Sequence, residues 1–300
     1  MADFLQHLIN GLSLGSIYAL IALGYTMVYG VLQLINFAHS DVYMIGAFAA
    51  YYTARLTGLD HNPGVGTLCV LLIGSMVTCA LVGLAIERLA YRPMRNSPKL
   101  NILITAIGVS LFLQYTAQII FGADPKVFPP VLQDAVLFEV AGVPLKLLDI
   151  TVLVVTLVMM MALRFLIYQT KVGRAMRAVS TNLKVASLLG VNTDRVISLT
   201  FALGSALAGV GSVLVGMKYP KLEPFMGMMI GLKAFVAAVL GGIGNLQGAV
   251  IGGLLMGLSE EMVVGYFSST YRDALAFGLL IGILIFRPAG LLGKNGVEKV

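Results

Sequence analysis

Two groups of residues in this chain have types and spacings that suit chemistry, and neither is a catalytic constellation. The first consists of polar side chains set inside apolar stretches. Asn36, His39, Asp41 and Tyr43 crowd one such stretch, and Lys233 and Asn245 flank another. A charge near the centre of a membrane-crossing run is costly and normally faces protein or water. Lys233 therefore reads either as the lining of a solute path or as a lysine that snorkels or neutralises an interhelical carboxylate. Asn36, His39, Tyr43, Lys233 and Asn245 are the candidate path residues, with His39 better suited to structural hydrogen bonding than to carrying protons. Asp41 is the one carboxylate that reads as intramembrane. Glu260 and Glu261 close an apolar run and are expected to face water or headgroups, while Tyr18, Tyr25 and Tyr29 read as packing or interface residues.

The second group is the polar island from Lys171 to Arg195. Within it Val172, Ala175, Met176, Val179, Leu183 and Ala186 recur at helical spacing, while Arg174, Arg177 and Lys184 fall on another face. Thr181 is a suitable N-cap and Gly190 a suitable C′ residue for a short helix over 182–189. Thr193 offers a second cap, with Asp194 in the first turn of the apolar helix that begins near Val196. A short, separately capped helix between two long apolar helices fits a docking element. The same residues would also satisfy the preference for positive charge in a plain cytoplasmic loop.

The elements that position these groups follow from composition. The chain is 58% hydrophobic and 11% charged, with a mean hydropathy of +0.92, far from a soluble domain. No Asp, Glu, Lys or Arg occurs between Phe4 and Ser40, whereas about 20 apolar residues cross a bilayer. These continuous apolar runs specify a polytopic helical bundle and exclude a β-barrel, which needs short alternating segments. The net charge of +6 is no nucleic-acid signal. Three clusters, 88–99, 164–195 and the tail from Arg287, hold thirteen basic residues accompanied only by Glu87, Asp194 and Glu298, and the rest of the chain holds seven basic against eleven acidic. This asymmetry places the clusters on the cytoplasmic side. Residues 123–149, with Asp124, Asp134, Glu139 and Asp149 against Lys126 and Lys146, belong outside. Cys69 and Cys79 share one apolar run, cannot reach each other for a disulfide, and read as small buried side chains. No cleavable signal peptide is evident.

Spans are expected near 8–32, 36–54, 65–86, 100–121, 150–167, 196–217, 226–242, 247–265 and 273–289. The clusters require an even number of crossings between each pair of them, which this set satisfies, and the N-terminus lies outside if the first three segments all cross. Segments 36–54 and 226–265 are doubtful: the first begins NFAHSD and the second is interrupted by GGIGN at 241–245. Broken helices at membrane depth line protein interiors or pathways, so eight or nine crossings are expected. Gly204, Ala208 and Gly211, and Gly248, Gly252, Gly253 and Gly257, recur at helix-contact spacing.

Residues 178–209, including LLGVNTDRVISLTFALGSALAG, resemble the cytoplasmic-loop signature of binding-protein-dependent ABC permeases. Similarity to permeases of the LivH type, from branched-chain amino-acid importers, extends through LGSIYALIALGYTMVYGVLQLINFAHSDVYMIGAF, ERLAYRPMR, ILITAIGVSLFLQ, GLKAFVAAVLGGIGNLQGAVIGGLLMGLSE and RPAGLLGKNGVEKV. The resemblance implies one transmembrane permease domain over 1–300, a coupling loop at about 168–195, and a fold related to the vitamin B12 and siderophore permeases. It implies residence in the bacterial inner membrane. It also implies a second permease of the LivM type, two cytoplasmic ATPases and a periplasmic binding protein delivering leucine, isoleucine or valine. Carried over, Arg174, Arg177, Ala178, Asn182, Ala186, Leu189 and Gly190 become the residues that couple to the ATPase. Membrane lipid is the remaining partner; nucleic acid, cofactor and metal are not expected.

The chain contains no GxxxxGK[ST] phosphate loop, so ATP would have to be hydrolysed by another polypeptide. An ion-coupled secondary transporter is the alternative, but it would want acidic or hydroxyl-rich sites at mid-membrane depth, and Asp41 is the single candidate. An intramembrane enzyme fits poorly: the histidines stand scattered at 7, 39 and 61, with no HExxH.

Overall fold

A computed structural model describes residues 2–95, 97–133, 135–140 and 142–293. Asp134, Lys294, Glu298 and Lys299, used above in the charge argument, lie outside the described residues. Twelve α-helices are described: α1 (Ala2–Leu32), α2 (His39–Thr57), α3 (Val65–Ile86), α4 (Arg92–Met94), α5 (Lys99–Phe121), α6 (Leu147–Gln169), α7 (Lys171–Thr181), α8 (Leu183–Leu188), α9 (Thr193–Lys218), α10 (Met226–Gly241), α11 (Leu246–Tyr266) and α12 (Arg272–Phe286). A π-helical turn, Glu87–Tyr91, joins α3 to α4 without a break.

Nine of these helices match the nine apolar segments expected from sequence. Seven stretches among the described residues have the length and hydropathy to cross a membrane. The two that fall short are α2, which carries Asp41 and Arg55, and α10, with 16 residues. These are the segments whose polar start and glycine interruption made them doubtful.

α1 and α9 form the axis, with 94% and 78% of their most apolar windows buried; α12 has only 6%. Outside this axis the helices turn large apolar side chains outward, among them Ile104, Phe112 and Ile119 on α5, Val154, Met161 and Phe165 on α6, and Ile281, Ile285 and Phe286 on α12. On helices of this hydropathy such faces meet lipid, where water-driven burial is absent. Close packing instead comes from small residues. A Cβ on Gly257 would collide with the backbone of Gly15, and one on Gly253 with Ala19, so α11 lies directly against α1. Gly204 faces Gly24 across α9 and α1, and Gly252 faces Ala237 and Gly241 of α10.

Two expectations are corrected. Cys79 is buried but Cys69 is exposed, because ten residues at about 100° each place them about 80° apart around α3. The bundle is also not purely helical. On the side away from the docking segment, β2 (Val136–Val140) and β3 (Val143–Lys146) form an antiparallel hairpin, and β1 (Lys126–Val127) pairs with β4 (Lys221–Leu222). These strands tie the loop before α6 to the loop after α9.

Candidate functional site

The segment from Thr170 to Arg195 is built from caps. Thr170 closes α6 and caps α7, its Oγ1 accepting from the Gly173 amide at 3.1 Å. Gly173, Met176 and Val179 are the buried face of α7. Arg174 and Ala178 face outward; Arg177 donates to the Ile167 carbonyl and lies 5.4 Å over the Tyr168 ring, bracing the α6–α7 corner. The cap of α8 is Asn182, not Thr181: its Oδ1 accepts from the Val185 amide at 3.1 Å. Thr181 instead ends α7, with its hydroxyl turned back onto the Arg177 carbonyl. Likewise Asn192, not Thr193, caps α9, accepting from the Arg195 amide at 3.0 Å.

Gly190 adopts φ +82°. The Gly190 amide donates to Ser187 and the Val191 amide to Ala186, each at 3.0 Å, the paired closure of a glycine-terminated helix. Ala186 anchors α8 at 2% exposure, while Leu188 and Leu189 stand 86% and 76% exposed. The capped helix α8 thus presents an adjacent apolar pair at the surface. Sequence reasoning reached Leu189 and passed over Leu188, which lies off the apolar stripe.

Beside this segment lies an ionic clamp that sequence reasoning missed. Asp194, at the start of α9, is held by Arg92 and by Arg95, the latter at 2.6 Å. Arg95 also bonds Glu87, which is fully buried and accepts from the Ser198 hydroxyl at 2.6 Å. The end of α3 and α4 is thereby fixed to the first turns of α9. Part of the basic cluster 88–99 is thus engaged with partners, beyond setting orientation.

The intramembrane candidates do not form one site. Asn36 accepts from the Tyr91 hydroxyl at 2.8 Å. His39 is buried edge-on to Tyr25, with ring centroids 4.5 Å apart. Asp41 accepts from Gln114 at 2.9 Å, and Tyr43 is fully buried with no hydrogen-bond partner for its hydroxyl among the described residues. Asn245 caps α11, accepting from the Gln247 and Gly248 amides, and donates to the Leu292 carbonyl. Lys233 is 7% exposed and pairs with Glu260 at 3.0 Å and Asp273 at 2.8 Å. Glu260 and Glu261 therefore do not face water: they are 1% and 7% exposed. Glu260 accepts from Tyr18 at 2.8 Å and meets Arg272 at 3.0 Å. Asp41 is thus not alone as a buried carboxylate, and Tyr18 does more than pack.

One short pattern, GLSLG at Gly11–Gly15, matches the GxSxG serine motif. It lies inside the continuous helix α1, without the strand-to-helix elbow that exposes such a serine. Ser13 is buried and accepts from Lys218, which also meets Asp149; the three residues bind α1, α6 and α9 together.

A multi-helix bundle with seven apolar stretches of crossing length among the described residues and close glycine contacts defines a polytopic membrane protein in class. The chain belongs to the family described as branched-chain amino acid transport system / permease component, which matches residues 7–284. It is 45% identical over 303 residues, covering 99% of this chain and 98% of the relative, to the high-affinity branched-chain amino acid transport system permease protein BraD of Pseudomonas aeruginosa. It is 44% identical to LivH of Escherichia coli K12 with the same coverage. The probable LivH of Methanocaldococcus jannaschii is 29% identical over 95% of this chain and 89% of its own length.

Proposed function

We propose that this chain is one permease half of an ATP-driven importer that carries leucine, isoleucine and valine across the bacterial inner membrane. A second permease of the LivM type completes the pathway, two cytoplasmic ATPases supply the energy, and a periplasmic binding protein delivers the amino acid. In this reading eight or nine segments cross, the fold is related to the vitamin B12 permeases, and α8 is the coupling helix. The observation that carries it is the exposed Leu188–Leu189 pair on a helix capped at both ends. A capped helix can be gripped as a unit, and the Asp194–Arg95–Glu87 clamp passes its displacement to α9 and α3 together. Arg174, Arg177, Ala178, Asn182, Ala186, Leu189 and Gly190 then hold or present the coupling surface. Asn36, His39, Tyr43, Lys233 and Asn245 remain candidates for the solute path, with Lys233 the one in a cavity wall that also carries other charges.

Affinity purification from detergent-solubilised membranes tests the assembly. Recovery of a second permease and two ATPase subunits is expected, and purification of the chain alone would contradict it.

A further inference from the structure

A cavity of about 290 Å³ opens at the end of the bundle away from α8, between α1, α10, α11 and the ends of α9 and α12. Its floor is charged. Glu260 receives the Tyr18 hydroxyl at 2.8 Å and meets Lys233 Nζ and Arg272 Nε, each at 3.0 Å. Glu223 stands at the rim, 2.8 Å from Lys221. The remaining wall is apolar and pliable, formed by Val215, Met226, Met229 and Ile230.

Stability alone does not explain this arrangement. A buried ion pair is often no more stabilising than apolar residues of the same volume, and charges inside membrane proteins mark function. Cations, carboxylates and an aliphatic wall around one small cavity complement a zwitterion with a branched apolar side chain.

We infer that this cavity is a transient binding site for the imported amino acid. The inference rests on the transport reading above and assigns it a place. Arg272 has five N–H donors, meets carboxylate oxygens of Glu260 and Glu261, and keeps a side chain 30% exposed; it takes the substrate carboxylate together with Lys233. Glu223 and Glu260 face the ammonium, and Met226, Met229 and Ile230 receive the side chain. Because Glu260 already occupies both cations, the ligand exchanges one set of ion pairs for another. Binding is therefore weak, as transit requires.

The test uses the complete transporter in proteoliposomes with ligand-loaded binding protein. Met229 lines this cavity, so Met229→Trp fills it from its wall. Leucine uptake should fall about tenfold or more, the lower end of what steric mismatch in an apolar pocket costs, with subunit recovery unchanged. In a second measurement, on a Cys69→Ser background, Met229→Cys is labelled by a water-soluble thiol reagent. Millimolar leucine should slow the labelling, and equal glutamate should not. Wild-type uptake in Met229→Trp, or labelling indifferent to leucine, overturns the site while leaving the importer reading intact. Failure of the wild-type complex to import leucine at all would instead overturn the importer reading, and the labelling result would still decide the cavity.

Discussion

At the scale of single residues, the Lys233–Glu260–Arg272 group shows what a linear sequence conceals. Lys233 was legible as an anomaly because its own run is apolar, and a neutralising carboxylate was one of its readings. The partner was not legible: Glu260 sits 27 positions away at the end of a different run, where it looks like a headgroup-facing residue. Local hydropathy reports depth along a helix, not which helix packs beside it. Removing Glu260 leaves two cations without their shared acceptor, and truncating one member of a buried pair costs about 3–5 kcal/mol. Glu260→Ala is therefore expected to lower the thermal stability of the purified protein strongly. Glu260→Gln keeps an acceptor for Tyr18 and Lys233 and should cost clearly less. Equal stability of Glu260→Ala and wild type, measured by thermal unfolding in detergent, would show that the network does not hold α1, α10 and α11 together. The same limit explains Cys69, whose apolar neighbours suggest burial although its face of α3 turns outward.

At the scale of elements, all nine apolar segments were legible, most of them bounded by glycine, proline or charge and the first two separated only by the polar residues Gln33 and Asn36. The caps were legible to within one residue. Thr181 and Asn182 are adjacent cap formers, as are Asn192 and Thr193, and only the backbone decides which takes the role. The strands β1 and β4 were hidden, because their pairing joins residues about 95 positions apart, by register Lys126↔Leu222. Gly190 was read correctly as a helix terminator, and a prediction follows from its φ of +82°. An L-residue in that conformation costs about 1–2 kcal/mol, more for a β-branched side chain. Among the described residues nothing lies within 4 Å of the Cβ position, so Gly190→Val acts through backbone strain and not through a clash. It should loosen α8 and lower the amount of ATPase that co-purifies several-fold, while the membrane bundle itself folds normally. Undiminished recovery of ATPase with full transport would mean that α8 is not the coupling helix.

At the scale of the whole molecule, sequence and structure agree on class. Composition alone specified a polytopic helical membrane protein. What composition could not supply is the division of labour among helices: α1 and α9 as a buried axis, α5, α6 and α12 as an outward wall, and α2 and α10 as shorter segments packed against each other. The two proposed functional regions lie at opposite ends of that axis, with the exposed pair Leu188–Leu189 at one end of α9 and the charged cavity near Lys233 at the other. Such a layout suits a device in which force applied at the docking helix changes access to a distant site, and it leaves the supply of energy to other chains. The most direct test is leucine uptake into proteoliposomes containing the assembled complex and its loaded binding protein, with ATP or with only a sodium or proton gradient. Uptake should require ATP and the ATPase subunits and show no response to the gradient. Uptake by this chain alone, driven by the gradient without ATP, would contradict the account and make it a secondary transporter.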